Sequence, residues 1–192
     1  MMRAENSEPG ASTPTPPEAA PPSSPPPSAP APPETVCGWE PFSLIVRELW
    51  PLLKRHYGEL GAYEEAPLDP DWDRYYEYER AGILRIWAMR AEGVLIGYVV
   101  CQVIHGLHSR STRYCYADLF WVAPEWRDGL SGMRMFRGVL KALRGLGVSN
   151  VRWETNDTFE PGPDGRSRVV SLLERLGFRK VGTVLQKVLT RE

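Results

Sequence analysis

The chain has 192 residues, which is enough for one ordinary domain and a tail. Its formal net charge of −1 combines an acidic half with a basic half, since residues 1–109 contain 8 Lys and Arg against 15 Asp and Glu, whereas residues 110–192 contain 15 against 9. Halves of opposite charge favour ligands of opposite charge, and the basic half lacks the dense arginine runs and interleaved aromatic residues of a nucleic-acid-binding stripe.

Features of membrane and secreted proteins are missing. Residues 1–36 contain no continuous apolar stretch of the kind that a secretory signal needs, and the longest apolar runs, such as VLIGYVVCQVI, are too short and interrupted to span a bilayer. The three cysteines, Cys37, Cys101 and Cys115, lack metal-ligand spacing and fit a reducing compartment. We therefore expect a soluble, cytoplasmic protein with no metal site.

The N-terminal segment, residues 1–36, is rich in proline. It holds 12 of the 19 prolines and almost no large apolar side chains. Such a segment cannot bury enough surface to offset its ordering entropy, which predicts a disordered tail followed by a domain over residues 37–192. The stretch PPSSPPPSAPAPP favours polyproline II conformers, which suit either a spacer or a recognition motif for a partner.

Two helices are predicted after the tail. In EPFSLIVRELWPLLKRHYGEL the apolar residues recur at helical spacing, Pro41 suits the first turn, and Pro51 should kink or split the helix. Asp69 before Pro70 predicts the N-cap of a second helix that reaches Gly82. Acidic residues crowd this part of the chain: Glu59, Glu64, Glu65, Asp69, Asp71 and Asp73.

Strands and helices then alternate. ILRIWAM and VLIGYVVCQVI predict an antiparallel pair joined at AEG, and RYCYADLFWV predicts a third, central strand. A helix from about Ser131 to Leu146, the strand VSNVRWET and the helix RSRVVSLLERL, ended by Gly177, come next. The segment RKVGTVLQKVL predicts one or two further strands. This order predicts an α/β fold with a mixed sheet.

The junction VAPEWRDGLSGMRMF passes from strand to helix through exposed amides. A helix N-terminus carries unpaired N–H groups and a positive dipole end, and Gly129 and Gly132 let phosphate oxygens approach the backbone. Arg127 and Arg134 can add charge-assisted hydrogen bonds. The same residues also suit a plain strand–helix turn. Neither a Walker lysine pattern nor a dinucleotide fingerprint is present.

The run DLFWVAPEWRDGLSGMRMF, the strand NVRWET and the ending LLERLGFRKVGTVLQKVL resemble the GNAT acetyltransferase superfamily, especially its small phage-type members. The resemblance covers residues 42–190. It implies a GNAT-like mixed β-sheet with splayed central strands, helices on both faces, and acetyl-CoA as co-substrate. The cofactor-binding residues that it implies are Phe120, Trp121, Val122, Arg127, Asp128, Gly129, Leu130, Ser131, Gly132 and Asn156.

Two carboxylates are candidates for the chemistry. Asp118 interrupts an apolar strand at the position that looks like the acidic position of many family members, so it is the candidate base, or else a structural carboxylate with partners. Glu154 on the neighbouring strand is the second candidate. The position at which family members often carry a tyrosine acid is Leu173, which leaves water or Ser171. His105, His108, Cys101 and Cys115 are more typical of surface or core residues.

The resemblance implies an acetyl-CoA-dependent N-acetyltransferase acting on an amine acceptor by direct attack. The acidic residues of the first half favour a cationic amine, and the class of amine is not specified. A DNA or nucleotide modification enzyme on the same fold is one alternative, and would need a basic surface beside the splayed strands. A CoA-binding or interaction protein that has lost turnover is another, because the usual tyrosine is missing.

Overall fold

The computed structural model describes residues 34–60, 67–127, 130–155 and 167–182. The chain divides into two units, residues 1–32 and 33–192, and the described residues all belong to the second. The first 33 residues of the predicted tail, Asp128, Gly129, Asn156 and the predicted strand segment from residue 183 lie outside the described residues. None of the helices in the described ranges is long and apolar enough to cross a bilayer.

The described residues form five strands, four α-helices and one 3₁₀ turn. The strands are β1 (Thr35–Glu40), β2 (Leu84–Ala91), β3 (Val94–Gly106), β4 (Ser109–Val122) and β5 (Val148–Trp153). The helices are α1 (Phe42–Leu60), α2 (Trp72–Arg80), α3 (Ser131–Gly145) and α4 (Arg168–Arg175), and the 3₁₀ turn is Pro124–Trp126.

The strands form one mixed sheet in the order β1-β2-β3-β4-β5. All neighbouring pairs are antiparallel except β4 and β5, which are parallel. The mixed sheet predicted from the sequence is therefore confirmed, and α3 supplies the crossover that a parallel pair requires.

Strand β1 was not predicted, and it contains Thr35 and Val36, which the sequence analysis assigns to the tail. The segment TVCGWE is short and includes a glycine, so its apolar alternation is too weak to indicate a strand. Its place in the sheet comes from tertiary packing, because Trp39 meets the ring of Trp87 edge-on at a centroid distance of 5.0 Å. β1 is one edge of the sheet in the described part of the chain.

Two apolar cores lie on opposite faces of the sheet. On one face, which we call the α1 face, α1 and α2 cover β2, β3 and the end of β4, with Phe42, Ile45, Leu49 and Leu53 buried. On the other, the α3 face, Met135, Val139 and Leu143 of α3 pack on β2 to β5. Helices therefore cover both faces, as the fold class predicts.

Both predicted N-terminal helices are present; of the kink or split expected at Pro51 the split does not occur, and the N-cap of α2 differs from expectation. α1 is not split at Pro51 but runs from Phe42 to Leu60. Pro51 removes the hydrogen bond to the carbonyl of Arg47, and both residues are exposed, where water can satisfy that carbonyl. The N-cap of α2 is Asp71 rather than Asp69, since the Asp71 carboxylate accepts a hydrogen bond from the amide of Arg74 at 3.0 Å.

Gly177 terminates α4, as predicted, and lies directly after its C-cap residue, Leu176. Gly177 has a φ of 87°, its amide donates to the carbonyl of Glu174 at 2.9 Å, and the next amide, of Phe178, donates to the carbonyl of Leu173 at 3.0 Å. These two bonds form a Schellman motif, which favours glycine because of the left-handed backbone.

Two glycines of α3 give a stability test. An added Cβ at Gly138 would lie 2.8 Å from Cζ2 of the buried Trp87, whereas one at Gly145 would meet nothing within 4 Å. We expect Gly138→Ala to lower the free energy of unfolding in urea by about 1–3 kcal/mol. Gly145→Ala should leave it unchanged or raise it by up to about 1 kcal/mol. Equal effects would contradict the close packing of α3 on β2.

Candidate active site

A β-bulge interrupts β4 at Asp118. In the pairing of β3 with β4, Val100 lies opposite Leu119 and the next residue, Cys101, lies opposite Ala117. Asp118 is therefore the extra residue of the bulge, with no residue of β3 across from it. A bulge of this kind bends the strand and redirects its side chains.

The bulge changes which face of the sheet each β4 residue occupies. Before it, Cys115 and Ala117 belong to the α3 face. After it, the even-numbered Phe120 and Val122 belong to the α3 face, and Trp121 packs on the α1 face. Without the extra residue, strict alternation would reverse these positions.

Pairing between β4 and β5 ends at the same place. The last paired residues are Ala117 and Trp153, and β4 continues for five residues to Val122 with partners on β3 alone among the described residues. The backbone from Asp118 onward therefore presents its other edge to the space beside β5. This arrangement is the splay that the fold class predicts.

Asp118 and Glu154 influence one another electrostatically. The pKa of the Asp118 carboxyl lies above its ordinary value, first because neighbouring protein groups desolvate it and second because of the negative charge of Glu154. The Asp118 side chain is nevertheless exposed on part of its surface. The two carboxylates predicted from the sequence are thus brought together beyond the paired part of β4 and β5.

Tyr75 of α2 lies near Asp118, and Tyr57 of α1 and Tyr98 of β3 interact electrostatically with Tyr75. Burial raises the pKa of Tyr75 to about 12, and the charges of Asp118 and Tyr57 add to the effect. Tyr98 is fully buried, and its pKa is raised mainly by burial and then by Tyr75 and Tyr57. At neutral pH the Tyr75 hydroxyl therefore keeps its proton and can donate a hydrogen bond.

The N-terminus of α3 follows the end of β4. Its N-cap residue, Leu130, has no side-chain acceptor, and the first helical residue is the buried Ser131. At Gly132 an added Cβ would lie 3.5 Å from both Phe120 and Leu172, which is ordinary contact. Glycine is therefore not required there by protein packing, and its small size keeps space between β4 and α4.

Arg127 points back toward β4 and α1. Its Nε donates to the carbonyl of Val122 at 2.8 Å, and its Nη2 donates to Glu59 at 2.5 Å. The other carboxylate oxygen of Glu59 accepts a hydrogen bond from the indole of Trp121 at 3.1 Å. Arg127, predicted as a diphosphate ligand, thus joins the end of β4 to α1.

A buried histidine lies beneath this ion pair. His56 is 4% exposed, and its Nδ1 lies 2.9 Å from the hydroxyl of Tyr98. The His56 ring also stacks on Trp121 at a centroid distance of 6.2 Å. Burial lowers the pKa of His56 to about 4, against the opposing charge of Glu59 and with a smaller contribution from Arg127. The imidazole is therefore neutral at physiological pH.

The remaining predicted residues lie apart from this cluster. Cys101 and Cys115 are fully buried on the α3 face, and Leu173 is buried at 6% exposure in α4. His105 and His108 are exposed at the turn between β3 and β4. Tyr75, which the charge of Asp118 affects, was missed because its helical spacing indicates packing. His56 and Tyr98, which pack against Trp121, were missed because their helical or alternating spacing also indicates packing.

Comparisons with known proteins agree with this architecture. Residues 46–178 match the profile of the acetyltransferase (GNAT) family. No curated protein matches the chain at a significant level.

Several solved acetyltransferases share the fold. An aminoglycoside acetyltransferase from an uncultured soil metagenomic sample has a TM-score of 0.65 at 12% identity, over 82% of this chain and 99% of that one. The ribosomal-protein-alanine N-acetyltransferase from Brucella melitensis biovar Abortus 2308 has a TM-score of 0.64 at 14% identity, over the same shares. The aminoglycoside N-acetyltransferase AAC(6')-Iy in complex with CoA has a TM-score of 0.58 at 14% identity, over 81% and 100%.

The buried His56 should make the free energy of unfolding depend on pH. Its pKa is about 4 in the folded chain and about 6.5 when unfolded. Its contribution is therefore fully present above pH 6.5 and is lost as the pH falls from 6.5 to 4, by about 3 kcal/mol in total. We expect the free energy of unfolding in urea to fall less steeply over this window in His56→Asn than in the unsubstituted chain.

The control for that measurement is His105→Asn at an exposed histidine. This variant should keep the original slope. If His56→Asn also keeps it, the buried imidazole is not the group that responds to pH.

Proposed function

Because the chain belongs to the GNAT acetyltransferase family, we propose that it transfers the acetyl group of acetyl-CoA to the nitrogen of an amine acceptor. The observation that carries this proposal is the coincidence of three features at one place in the sheet. The bulge at Asp118, the end of β4–β5 pairing and the start of α3 all adjoin the last residues of β4.

The described residues fit coenzyme A. The first turn of α3 offers its positive dipole end to a diphosphate, and the Leu130 cap brings no competing carboxylate. The open edge of β4 from Phe120 to Val122 offers backbone groups to the pantetheine arm. Gly132 leaves room between Phe120 and Leu172. When bound, acetyl-CoA supplies an acetyl group activated as a thioester.

Arg127 has two roles in this proposal. Its Nε holds the carbonyl of Val122, so it positions the end of β4 with or without cofactor. Its contact with Glu59 is partly exposed, at 45% for the arginine and 27% for the glutamate side chain. Exposed ion pairs contribute about 1 kcal/mol or less, so a diphosphate can displace Glu59 as the partner of Arg127.

Asp118 is the proposed base. The amine first loses its extra proton to solvent. Its neutral nitrogen then forms a bond with the acetyl carbon, the carbon–sulfur bond breaks, and the remaining amine proton passes to the Asp118 carboxylate directly or through water. Coenzyme A leaves as a thiolate and takes up a proton from solvent to become the free thiol. A raised pKa makes the Asp118 carboxylate a better proton acceptor than that of an ordinary aspartate. Burial is the main cause of this raised pKa, and the negative charge of Glu154 adds to it and attracts a cationic amine.

Tyr75 takes the place of the missing tyrosine acid in this proposal. The usual position is Leu173, which is buried at 6% exposure and cannot donate a proton. Tyr75 is protonated and lies close enough to Asp118 to be affected by its charge. It can therefore donate a hydrogen bond beside the proposed base.

The acceptor should approach along the α1 face. Exposed acidic residues at the start of α2, Asp69, Asp71 and Asp73, lie on this side of the chain. They favour the approach of a cationic amine by long-range attraction, which salt weakens. Glu64 and Glu65 lie outside the described residues.

Thermal stabilisation and thiol release test the function together. Acetyl-CoA should raise the melting temperature, and free thiol should appear when a panel of small amines is added. Stabilisation without thiol release for any amine would favour a CoA-binding protein without turnover, in line with Leu173 at the usual tyrosine position. Absence of stabilisation would contradict the proposal.

Gly132→Ala tests the cofactor site. The substitution makes only ordinary contacts with Phe120 and Leu172, so the fold should remain intact, but the methyl group narrows the space beside the α3 amides. We expect the Kd for acetyl-CoA, measured by calorimetry, to rise about tenfold, equivalent to about 1.4 kcal/mol. Gly145→Ala, in the last turn of the same helix, is the matched control and should bind normally.

Asp118→Asn and Glu154→Gln test the base. Asp118→Asn should lower kcat about a hundredfold or more with the Kd for acetyl-CoA unchanged. Glu154→Gln removes the negative charge that helps to raise the pKa of Asp118, so the pKa falls. Because the base must be ionised, the acidic limb of kcat/KM should then move to lower pH. A limb that stays in place would exclude Asp118 as the titrating base.

A further inference from the structure

A pocket of about 300 Å³ opens on the face of the sheet that does not carry α3, beside the turn between β3 and β4. Tyr114 and Tyr116 of β4, Arg152 of β5 and the turn residues 104–109 line it. No part of the proposed cofactor site uses these residues. The pocket continues the sheet face on which the proposed acceptor approaches.

The strand register places the pocket in line with the candidate base. Tyr116 of β4 lies opposite Arg152 of β5. Their chain neighbours Cys115, Ala117, Val151 and Trp153 pack on the α3 face, so Tyr116 and Arg152 lie on the opposite face. Asp118 follows Tyr116 by two residues, and Glu154 follows Arg152 by two residues, so each lies at most about 7 Å further along the backbone.

This part of the sheet is open in the described residues. The apolar cluster beneath α1 and α2 takes its sheet residues from β2, β3 and the end of β4 after the bulge. Neither β5 nor β4 before the bulge contributes to it. Tyr114 and Tyr116 are half-buried, and Arg152 is exposed.

Arg152 is held by the faces of two aromatic rings. Its guanidinium lies 5.4 Å from the ring centre of Tyr114 and 5.7 Å from that of Tyr116. These contacts are cation–π attractions, and a guanidinium has five N–H donors that suit a bidentate contact with a carboxylate or phosphate. No described carboxylate lies within ion-pair distance of Arg152.

The other charged groups at the pocket leave it positive. None of the described residues that line it is acidic. His105 places Nδ1 2.9 Å from the carbonyl of Arg110, and its Nε2 accepts a hydrogen bond from Arg113 at 3.3 Å. An anionic ligand group therefore meets no described carboxylate in this pocket, and finds one oriented cation in Arg152.

From this arrangement we infer that the acceptor is an amine that also carries an anionic group, bound by Arg152 between its two tyrosine supports. The amine then lies at Asp118 and Glu154, and the anion lies at Arg152, whose backbone is at most about 7 Å from that of Glu154. This inference rests on the proposed function and narrows its substrate class. A carboxylate and a phosphate monoester share the required chemistry, and the experiment below distinguishes them.

The test compares matched acceptors. We expect kcat/KM for 6-aminohexanoate, or for 6-aminohexyl phosphate, to exceed that for hexylamine. The ratio of kcat/KM for the anionic acceptor to kcat/KM for hexylamine measures this preference. In Arg152→Ala the ratio should fall about tenfold or more, through a higher KM for the anionic acceptor, since one charge-assisted contact is lost. The larger of the two original ratios identifies carboxylate or phosphate as the preferred anion. An absence of preference in the unsubstituted chain, or the same preference in Arg152→Ala, would overturn the inference.

Two further variants separate this role from a structural one. Arg152→Lys keeps the charge and should restore part of the preference, whereas Arg137→Ala removes an exposed arginine of α3 and should retain all of it. If no amine causes release of thiol, the affinity of the chain for each amine can still be measured by calorimetry. Tighter binding of 6-aminohexanoate than of hexylamine in calorimetry, lost in Arg152→Ala, would then support the inference while the proposed function fails. Equal binding would overturn both.

Discussion

The insertion of one residue, Asp118, into β4 determines which residues of this strand pack on each face of the sheet. The bulge reverses the faces occupied by the rest of the strand, so that Trp121 packs under α1 while Phe120 and Val122 pack under α3. It also coincides with the end of β4–β5 pairing. One irregularity thus supplies an ionisable side chain, an open strand edge and correct packing on both faces, and removing it would require all three to change.

The end of β4 is fixed by polar contacts as well as by packing. Arg127 holds the carbonyl of Val122, Glu59 joins Arg127 to Trp121, and His56 lies between Trp121 and Tyr98. Gly97 of β3 allows this close approach, because a Cβ there would lie 2.9 Å from the carbonyl oxygen of Trp121. A buried neutral histidine at the centre of these contacts makes the geometry of the site depend on α1 rather than on β4 alone.

Much of the fold follows from the sequence because its signals are local. The apolar spacing of α1 and α3, the alternation in β2 and β3, and Gly177 each depend on a few neighbouring residues. β1 was not predicted, since its pairing with β2 is not visible in a short segment. The N-cap of α2 was predicted at Asp69 instead of Asp71, since either aspartate can cap a helix. In the site, Asp118 is visible as a charge in an apolar strand. The sequence does not reveal Tyr75 and Arg152 as site residues, because helix packing places Tyr75 near Asp118 and strand register places Arg152 there.

Among the described residues β1 lies at one edge of the sheet, and this position has a consequence for the behaviour of the protein at high concentration. An exposed strand edge is a template on which a second chain can add by backbone hydrogen bonding, and Val36 is 67% exposed there. Pro33 and Pro41 bracket β1 closely in the sequence, and neither has an N–H group to extend a ladder. Any intermolecular sheet on this edge is therefore confined to about six residues, a length that limits the growth of ordered aggregates.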